Sequence, residues 1–311
     1  MVQSGLARAA STLSSREDTR LGEAAQLRRG SNQAIQRQKI FIQPHVYSTR
    51  HSIQTAHNIQ VLDELSSAFK AGDGNQQYLD IGCANGDFTR DVLLNKCGPC
   101  KRIVAVDISG DMIRYAREHS SHPKLLYEEL DIGGDVSSFR KEYGSFHRIY
   151  SFYVLHWLKD QARGFKNIAD LLAPGGECLL LFCGKAKVFD VWEELAGTER
   201  WNSYAEDLLN AIPQSHYMED QDAYVSKLLE SAGLKAHTSQ ALAKMLRFPS
   251  EHVLNETLKA VLPISSYVNS EDRDELLEDF LAKVITASSR EASGAVCFFT
   301  SYFLVHAYKP K

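Results

Sequence analysis

A glycine-rich loop at residues 80–86 is the first segment whose residue types could do chemistry. It reads Asp-Ile-Gly-Cys-Ala-Asn-Gly and stands between a predicted strand and a predicted helix. Glycines in such a turn let the backbone approach a nucleotide-like ligand closely, because no Cβ stands in the way. The loop matches the pattern D-x-G-x-G-x-G except that Ala84 replaces the middle glycine. By itself the loop is a weak signal, since a tight turn that binds nothing has a similar composition.

A second acid, Asp107, ends the next predicted strand, where its carboxylate can accept hydrogen bonds from both hydroxyl groups of an adenosine ribose. NAD-binding enzymes have the same acid, so Asp107 alone does not identify the ligand. Three further features are typical of class I methyltransferases: the D-x-S-x-x-M pattern of residues 107–112, the pair Asp131 and Ile132, and the glycine pair at 175–176. Together with the loop, they predict a site for S-adenosylmethionine in which Asp131 accepts from the adenine amino group.

Residues 151–157 follow the fourth predicted strand and bring polar and aromatic side chains to the place where a methyl donor would meet its acceptor. Trp157 offers a flat apolar surface for a hydrophobic acceptor and an indole N–H for an oxygen. For His156 we favour a structural role at the entry to a helix over a catalytic one. The residues that we predict to bind the cofactor are Asp80, Gly82, Cys83, Gly86, Asp107, Ile108, Met112, Asp131, Ile132 and Ser151.

A parallel sheet would bring these residues together, and the apolar pattern between residues 73 and 184 predicts one. Short apolar strands alternate there with helices, which is typical of βαβ units around a buried parallel sheet. We predict strands at 78–81, 103–106, 125–130, 149–154 and 177–182, and helices at 88–95, 111–119 and 161–172. The predicted fold is α/β and Rossmann-like, that of a class I methyltransferase, with a seven-stranded, mostly parallel sheet, helices on both faces and a helical lid.

The rest of the chain is expected to surround this core, residues 73–184. We predict an N-terminal closing segment at 45–70, a strand at 234–241, a mostly helical stretch at 250–288 and a final strand at 295–308. The helical insertion, about 249–292, would lie over the mouth of the sheet and select the substrate. The methyltransferase domain is then 41–308. Residues 1–40 contain no aromatic residue and are predicted to be a flexible tail; their acids weaken the alternative of an organellar transit peptide.

Composition argues against several classes of function. The net charge of −4 provides no basic field for nucleic acid, and the longest apolar run, 178–183, is far shorter than the ~20 residues of a membrane span. Six irregularly spaced cysteines and the lack of an apolar signal sequence predict reduced thiols in a cytoplasmic protein. Cys97 and Cys100 form a C-G-P-C motif, but it follows a helix and precedes a strand, the reverse of a redox motif. No second ligand pair accompanies it, so no metal site is predicted.

The sequence resembles the juvenile hormone acid methyltransferase-like family of class I methyltransferases over roughly residues 45–308. Beyond the cofactor motifs, the resemblance lies in residues 151–157, 174–182, 189–192 and 248–250. The family's N-terminal pattern Y-x-x-x-N-x-x-Q is present with His51 in place of Asn. The resemblance implies that Gln54 and Trp157 are catalytic, holding the acid substrate, and that Tyr47, Gln54, Tyr153 and Trp157 line its binding site.

The substrate that the resemblance implies is a small apolar carboxylic acid, such as farnesoic or juvenile hormone acid. A carboxylate with a pKa of ~4 is ionised at neutral pH, so its methylation needs positioning and desolvation rather than a general base. The segment 249–292 contains only two arginines, Arg273 and Arg290, which disfavours a polycarboxylic acid. A methyltransferase for a polycarboxylic acid, phenol or amine remains an alternative, as does a non-catalytic binding protein, although four intact cofactor features argue against the latter.

Overall fold

One mixed sheet runs through the structure, a computed structural model that describes residues 42–263 and 267–311. Its strands are β1 (Gln77–Ile81), β2 (Arg102–Asp107), β3 (Leu125–Glu129), β4 (Phe146–Phe152), β5 (Leu172–Ala186), β6 (Lys235–Phe248), β7 (Ser289–Arg290) and β8 (Val296–Tyr308). The strand order is β3-β2-β1-β4-β5-β8-β6, and the two-residue β7 pairs with β8. Strands β1 to β5 pair in parallel, whereas β8 runs antiparallel between β5 and β6. The predicted fold class is confirmed, with β7 as an addition to the seven predicted strands.

The helices that surround this sheet come in the predicted alternation with the strands. They are α1 (Pro44–Arg50), α2 (Ser52–Leu65), α3 (a π-helical turn, Thr89–Leu93, continued by Leu94–Lys96), α4 (Gly110–His119), α5 (Ser137–Tyr143), α6 (Gln161–Leu171), α7 (Lys187–Ala196), α8 (Ala205–Asn210), α9 (Gln221–Ala232), α10 (Glu251–Val261) and α11 (Arg273–Thr286). A short 3₁₀ turn, Leu155–Trp157, follows β4.

Both faces of the sheet are covered because successive side chains of a strand point to opposite sides. On one face, Leu79 of β1 packs in a buried cluster that includes Ile168 of α6. On the other face, the neighbouring Tyr78 packs in a cluster that includes Val61 of α2 and Ile113 of α4. Continuous apolar strands are therefore required here, as the sequence pattern indicated.

Side-chain caps fix where the helices begin. Ser109 Oγ accepts a hydrogen bond from Met112 N at the start of α4, 3.3 Å away. Asp220 Oδ1 accepts from Ala223 N at the start of α9 over 2.8 Å, and that helix ends at Gly233 with a left-handed φ of 74°. Such caps satisfy backbone groups that a helix end leaves without partners. The cap on Ser109 starts α4 at Gly110, so that two residues separate it from the end of β2.

Three of the differences from the predicted boundaries have a physical reason in the structure. Strand β4 ends at Phe152 rather than 154, because Tyr153 has a φ of 60°. Strand β6 continues beyond 241 to Phe248, since β8 pairs with it along that whole length. The predicted helical stretch 250–288 divides into α10 and α11, and α10 ends two residues before Pro263, which cannot donate a backbone hydrogen bond.

Within the described ranges, no helix is both long enough and apolar enough to cross a membrane. The predicted flexible tail, residues 1–40, lies outside the described residues.

Candidate functional site

A pocket opens at the carboxyl ends of β1, β2 and β4, where ligands bind in open α/β sheets. Of the residues predicted from the sequence, ten line it: Tyr47, Gln54, Gly82, Asp107, Ile108, Met112, Asp131, Ile132, Tyr153 and Trp157. Four others are close in sequence to the lining but are not part of it: Asp80, Cys83, Gly86 and Ser151. The structure thus brings the predicted donor and acceptor residues to one pocket and places four of them behind its wall.

The glycine loop packs tightly against the structure behind it. Gly82 has a φ of 78°, and a Cβ on it would stand 2.0 Å from Val154 Cγ2. Gly86 has a φ of 77°, and a Cβ there would stand 2.7 Å from Tyr127 Cε1. A side chain at either position would meet atoms at distances that real Cβ atoms do not show. Both glycines are therefore needed for the loop to fold, whatever it binds.

Ala84, the departure from the glycine pattern, adopts a φ of 48°. That left-handed conformation costs a residue with a Cβ roughly 1–2 kcal/mol. The backbone N–H of Ala84 donates a hydrogen bond to Asp107 Oδ2 over 3.0 Å, which holds the loop against the end of β2. The loop keeps the conformation of a glycine-rich turn although one of its residues is not glycine.

Replacing Ala84 with glycine is expected to raise the free energy of unfolding by ~0.5–1 kcal/mol. Relief of the left-handed strain outweighs the greater backbone freedom that glycine has in the unfolded chain. Urea unfolding of the two proteins measures the difference. A matched substitution, Ala116→Gly in the middle of α4, should instead lower the free energy of unfolding. A lower stability of Ala84→Gly would contradict the argument from strain.

The two carboxylates of the loop region have different environments. Asp107 lies at the pocket wall, and its Oδ1 and Oδ2 accept hydrogen bonds from Ser109 N (2.9 Å) and Ala84 N (3.0 Å). Asp80 is buried behind the loop and accepts from Thr89 Oγ1 over 2.6 Å. Burial raises the pKa of Asp107, and it raises the pKa of Asp80 to about 7. Asp107 therefore faces the ligand space, whereas Asp80 supports the loop and the start of α3.

The buried Asp80 makes stability depend on pH. In the unfolded chain its pKa is ~4, so between about pH 4 and 7 the folded protein retains a proton that the unfolded chain releases. The contribution of Asp80 to the free energy of unfolding is greatest below about pH 4 and declines as the pH rises through about 7. Asp80→Asn should remove this slope.

Urea unfolding of the wild type and of Asp80→Asn at about pH 5 and pH 7 tests this dependence. As the pH rises, the free energy of unfolding of the wild type should fall relative to that of Asp80→Asn. Glu230→Gln, an exposed acid on α9, is the control and should follow the wild type. Equal slopes for the wild type and Asp80→Asn would show that Asp80 is ionised throughout.

Tyr153 lines the pocket from a strained backbone position. It has a φ of 60°, uncommon for a bulky residue, and its hydroxyl lies 2.6 Å from His57 Nδ1. Burial lowers the pKa of His57 to about 4 and raises that of Tyr153. A neutral imidazole beside a neutral phenol means that Tyr153 donates the hydrogen bond and His57 accepts it. The phenol oxygen is thereby held in one orientation.

Trp157 forms an aromatic wall beside Tyr153. Its ring lies 6.2 Å from the ring of Phe189 and 6.0 Å from that of Trp192, measured between centroids. The adjacent His156 is buried, with Nδ1 accepting from Cys183 N over 3.4 Å, and burial lowers its pKa to about 3. The geometry fits the structural role favoured for His156, because a buried neutral ring with a backbone partner is not placed for acid–base work.

The segment 42–65 is attached to the glycine loop through His51, the residue that departs from the family pattern. His51 Nε2 lies 3.1 Å from Asp87 Oδ2, and its Nδ1 lies 3.2 Å from Thr55 Oγ1. Its ring stacks on that of Tyr47 with centroids 4.5 Å apart. His51 thus bridges α2, the loop and the pocket-lining Tyr47. Its role in the structure is to position the closing segment.

Sequence reasoning missed several residues of the pocket. It also missed His57, which does not line the pocket but hydrogen-bonds the lining residue Tyr153; His57 stands three residues after Gln54 on α2, so helical spacing was a usable signal. Leu130 precedes the predicted Asp131 and lines the pocket beside it. Val261 and Pro263 also line the pocket. They come from the predicted lid, and no local sequence pattern predicts that they reach it. The lid and the closing segment are joined by an ion pair between Arg50 and Glu256 of α10, 3.1 Å apart.

The C-G-P-C motif lies at the other edge of the sheet. Cys97 and Cys100 are both buried and free, and they precede β2, whereas the pocket lies after it. The pair is therefore not part of the candidate site.

Comparison with known proteins gives one consistent result. A family model described as a methyltransferase domain matches residues 79–178. Juvenile hormone acid O-methyltransferase of Bombyx mori is 32% identical over 240 residues, which are 77% of this chain and 84% of that protein. The Drosophila melanogaster protein of the same name is 27% identical over 274 residues, covering 86% and 92% of the two chains.

Similarity also extends to more distant proteins. Trans-aconitate 2-methyltransferase of Afipia carboxidovorans is 30% identical over 101 residues, or 32% of this chain and 36% of that one. Among solved structures, the YcgJ protein of Bacillus subtilis has a TM-score of 0.50 at 14% identity and covers 81% of this chain and 99% of its own. At 14% identity this structural similarity indicates a shared fold and nothing about function.

Proposed function

Because the chain belongs to the juvenile hormone acid methyltransferase-like family of S-adenosylmethionine-dependent methyltransferases, we propose that it methylates the carboxylate of a small apolar, isoprenoid-type acid. Farnesoic and juvenile hormone acids are the first candidates. The observation that carries the proposal is the lining of the pocket. Among the described residues that form it, none is Lys or Arg, and most are aliphatic or aromatic. Such a wall suits one carboxylate on an apolar body and does not suit a polycarboxylic acid.

The donor half of the pocket has the polar and apolar groups that S-adenosylmethionine requires. Each oxygen of Asp107 already accepts one backbone N–H and has a further lone pair, so the carboxylate can accept both ribose hydroxyls. Asp131 Oδ1 accepts from Gly133 N over 2.9 Å, which orients the second oxygen for an adenine amino group. Ile108 lines the pocket although it is 36% exposed, as expected of a side chain that an adenine ring would cover.

The acceptor half would hold the acid and exclude water. When bound, S-adenosylmethionine supplies a methyl group on a positively charged sulfur, which a carboxylate oxygen can attack directly. The amide of Gln54 and the indole N–H of Trp157 are the donors that we assign to the carboxylate. Tyr153, whose hydroxyl proton goes to His57, adds an aromatic ring to the otherwise apolar wall. Alignment of the reacting atoms by such groups can lower the barrier by ~7–11 kcal/mol, and no general base is needed.

The positive charges near the lid support an apolar acceptor. Arg290 forms an ion pair with Glu251, and Arg50 forms one with Glu256. Both guanidinium groups therefore neutralise acids of α10. These two arginines are engaged in ion pairs within the protein rather than free to bind a second or third substrate carboxylate.

The decisive experiment is incubation of the protein with S-adenosylmethionine carrying a tritiated methyl group and a panel of isoprenoid, fatty, aromatic and polycarboxylic acids, phenols and amines. Mild base separates the products, because a methyl ester releases volatile tritiated methanol whereas methyl ethers and amines retain the label. Base-labile label on isoprenoid acids is the expected result. Transfer only to phenols or amines would overturn the carboxyl assignment, and transfer only to polycarboxylic acids would overturn the apolar one. Calorimetry that detects no cofactor binding would favour a non-catalytic binding protein.

A further inference from the structure

A cluster of two histidines and one glutamate lies at the edge of the sheet away from the pocket. Glu177 of β5, His237 of β6 and His306 of β8 each present one ligand atom, and these three atoms lie within 4.8 Å of one another. His306 Nε2 is 3.4 Å and His237 Nε2 is 3.7 Å from the same atom, Glu177 Oε1. The three side chains therefore converge on one point.

The register of the sheet explains the convergence. Glu177 is opposite Tyr308 on β8, so its side chain shares a face with both Tyr308 and His306, two residues apart on that strand. Thr238 of β6 is opposite His306, and the register shifts between Ala236 and Thr238. His237 is the extra residue of this bulge, and a bulge can redirect a side chain to the face that regular alternation would deny it.

The polar atoms at the centre of the cluster are buried and have no hydrogen-bond partner. The side chains of Glu177 and His306 are 4% and 1% exposed. Glu177 Oε1 and both ring nitrogens of His306 accept or donate no hydrogen bond within the described part of the chain. The nearest polar neighbours of these atoms are one another, at 3.4 and 3.7 Å, and a buried carboxylate oxygen and imidazole without a hydrogen bond are expected to have a further ligand.

The surroundings of Glu177 do not supply that ligand. Its other oxygen, Oε2, accepts from Lys70 N over 3.1 Å. Arg148 is the partner of Glu177 across the β4–β5 pairing, but its hydrogen bonds go to the carbonyls of Cys97 and Lys70 and to the Tyr150 hydroxyl. The carboxylate is thus oriented by a backbone N–H on one oxygen while the other faces the two imidazoles.

We propose that Glu177, His237 and His306 form a binding site for a transition-metal dication of the Zn²⁺ type. Two imidazoles and one carboxylate are a donor set that Zn²⁺ takes, with a fourth position left for water. In a tetrahedral site, ligand atoms at ~2.0–2.2 Å from the ion are about 3.4 Å from one another. The two distances from Glu177 Oε1 to the histidine Nε2 atoms, 3.4 and 3.7 Å, are close to that value. The longest separation, at most 4.8 Å, lies between the two histidines, and the exposed His237 ring would move to shorten it when the ion binds.

Ring contacts hold both imidazoles of the cluster in place. The His306 ring packs on Phe69 with centroids 4.5 Å apart, and the His237 ring stacks on Tyr308 at 4.6 Å. The side chain of His237 is 43% exposed, which gives an ion access from solvent. Along β5, four residues or about 13 Å separate Glu177 from Leu181, the partner of Phe152 at the pocket. The site is distinct from the methyl-transfer pocket and does not depend on the proposed function.

Titration of the full-length, tag-free, chelator-treated protein with Co²⁺ tests the proposal, because Co²⁺ reports its ligands by absorption. The expected result is saturation at one ion per chain, with visible bands of a four-coordinate site and competition by Zn²⁺. No near-ultraviolet band of thiolate ligation should accompany it, since such a band would mean binding at Cys97 and Cys100 instead. Binding with that band, or no saturable binding, would overturn the assignment.

Variants locate the ion. His237→Phe keeps the ring stack on Tyr308 and removes one ligand, and Glu177→Gln keeps the acceptor for Lys70 N and removes the charge. Each should weaken Co²⁺ binding at least about tenfold, since even residues that only support a ligand contribute that much. His119→Phe, an exposed histidine stacked on Tyr115 at 4.0 Å, is the matched control and should bind as the wild type does. Wild-type affinity in folded His237→Phe would refute the site.

Discussion

Replacing Asp107 with alanine is expected to weaken the binding of S-adenosylmethionine by ~1.5–3 kcal/mol, roughly 10- to 100-fold. On the proposed placement, the variant loses two charge-assisted hydrogen bonds to the ribose. It also loses the acceptors that hold Ala84 N and Ser109 N, so the loop and the start of α4 are less well fixed. Calorimetric titration with S-adenosylmethionine and with its demethylated product measures the effect, and both ligands should lose affinity equally because they share the ribose.

The control for this variant is Glu129→Ala. Glu129 is the partner of Asp107 on β3 and does not line the pocket. Its replacement with alanine therefore removes the same charge at the same edge of the sheet. Its affinity for the cofactor should remain close to that of the wild type. If both variants weakened binding equally, the loss would be due to the change in net charge at this edge of the sheet and not to lost hydrogen bonds of Asp107. Unchanged affinity in folded Asp107→Ala would place the ribose elsewhere.

Replacing Trp157 with alanine is expected to reduce turnover ~100-fold while changing cofactor affinity little. The substitution removes an apolar wall and an N–H donor on the acceptor side, so the acid is neither desolvated nor aligned with the methyl group. Trp157→Phe separates the two contributions, because it keeps an aromatic ring and removes the donor. Its turnover should lie between those of the wild type and Trp157→Ala. Initial rates with the best acid of the panel and calorimetry with the cofactor are the measurements.

Trp192 provides a matched control behind Trp157. The two rings are 6.0 Å apart, but Trp192 does not line the pocket and its Nε1 makes no hydrogen bond to any residue that the structure describes. Trp192→Phe therefore tests aromatic packing without the loss of a hydrogen bond, and its turnover should be close to that of the wild type. A folded Trp157 variant that no longer binds S-adenosylmethionine would contradict the assignment of Trp157 to the acceptor side.

The residues predicted to bind the cofactor could be brought to one pocket from the sequence because their signals are local. Residues 80–86 and 107–112 each combine a strand end, a turn and a helix start in one short segment. The carboxyl ends of neighbouring parallel strands share one edge of the sheet, so predicting the strands was enough to bring Asp107, Asp131 and Trp157 to one pocket. The fold class followed from the same alternation of strands and helices.

The residues proposed to hold the acceptor were less predictable because they come from distant segments. Tyr47 and Gln54 were assigned by resemblance, and the structure places both in the pocket lining. The hydrogen bond between His57 and Tyr153 joins α2 to the end of β4, 96 residues apart in the chain. Contacts of that kind depend on how the closing segment packs on the sheet, which neither apolar periodicity nor turn composition encodes.

The sequence by itself determined the fold class, the methyl donor and the family, since contiguous motifs carry all three. Only the tertiary structure decided which acid faces the pocket, with Asp107 at its wall and Asp80 buried behind it. It also decided that Glu177, His237 and His306 converge, although no metal site was predicted from their positions in the chain. The physical reason is that this cluster depends on the register of three paired strands and on one bulge, and registers are set by packing across the whole sheet.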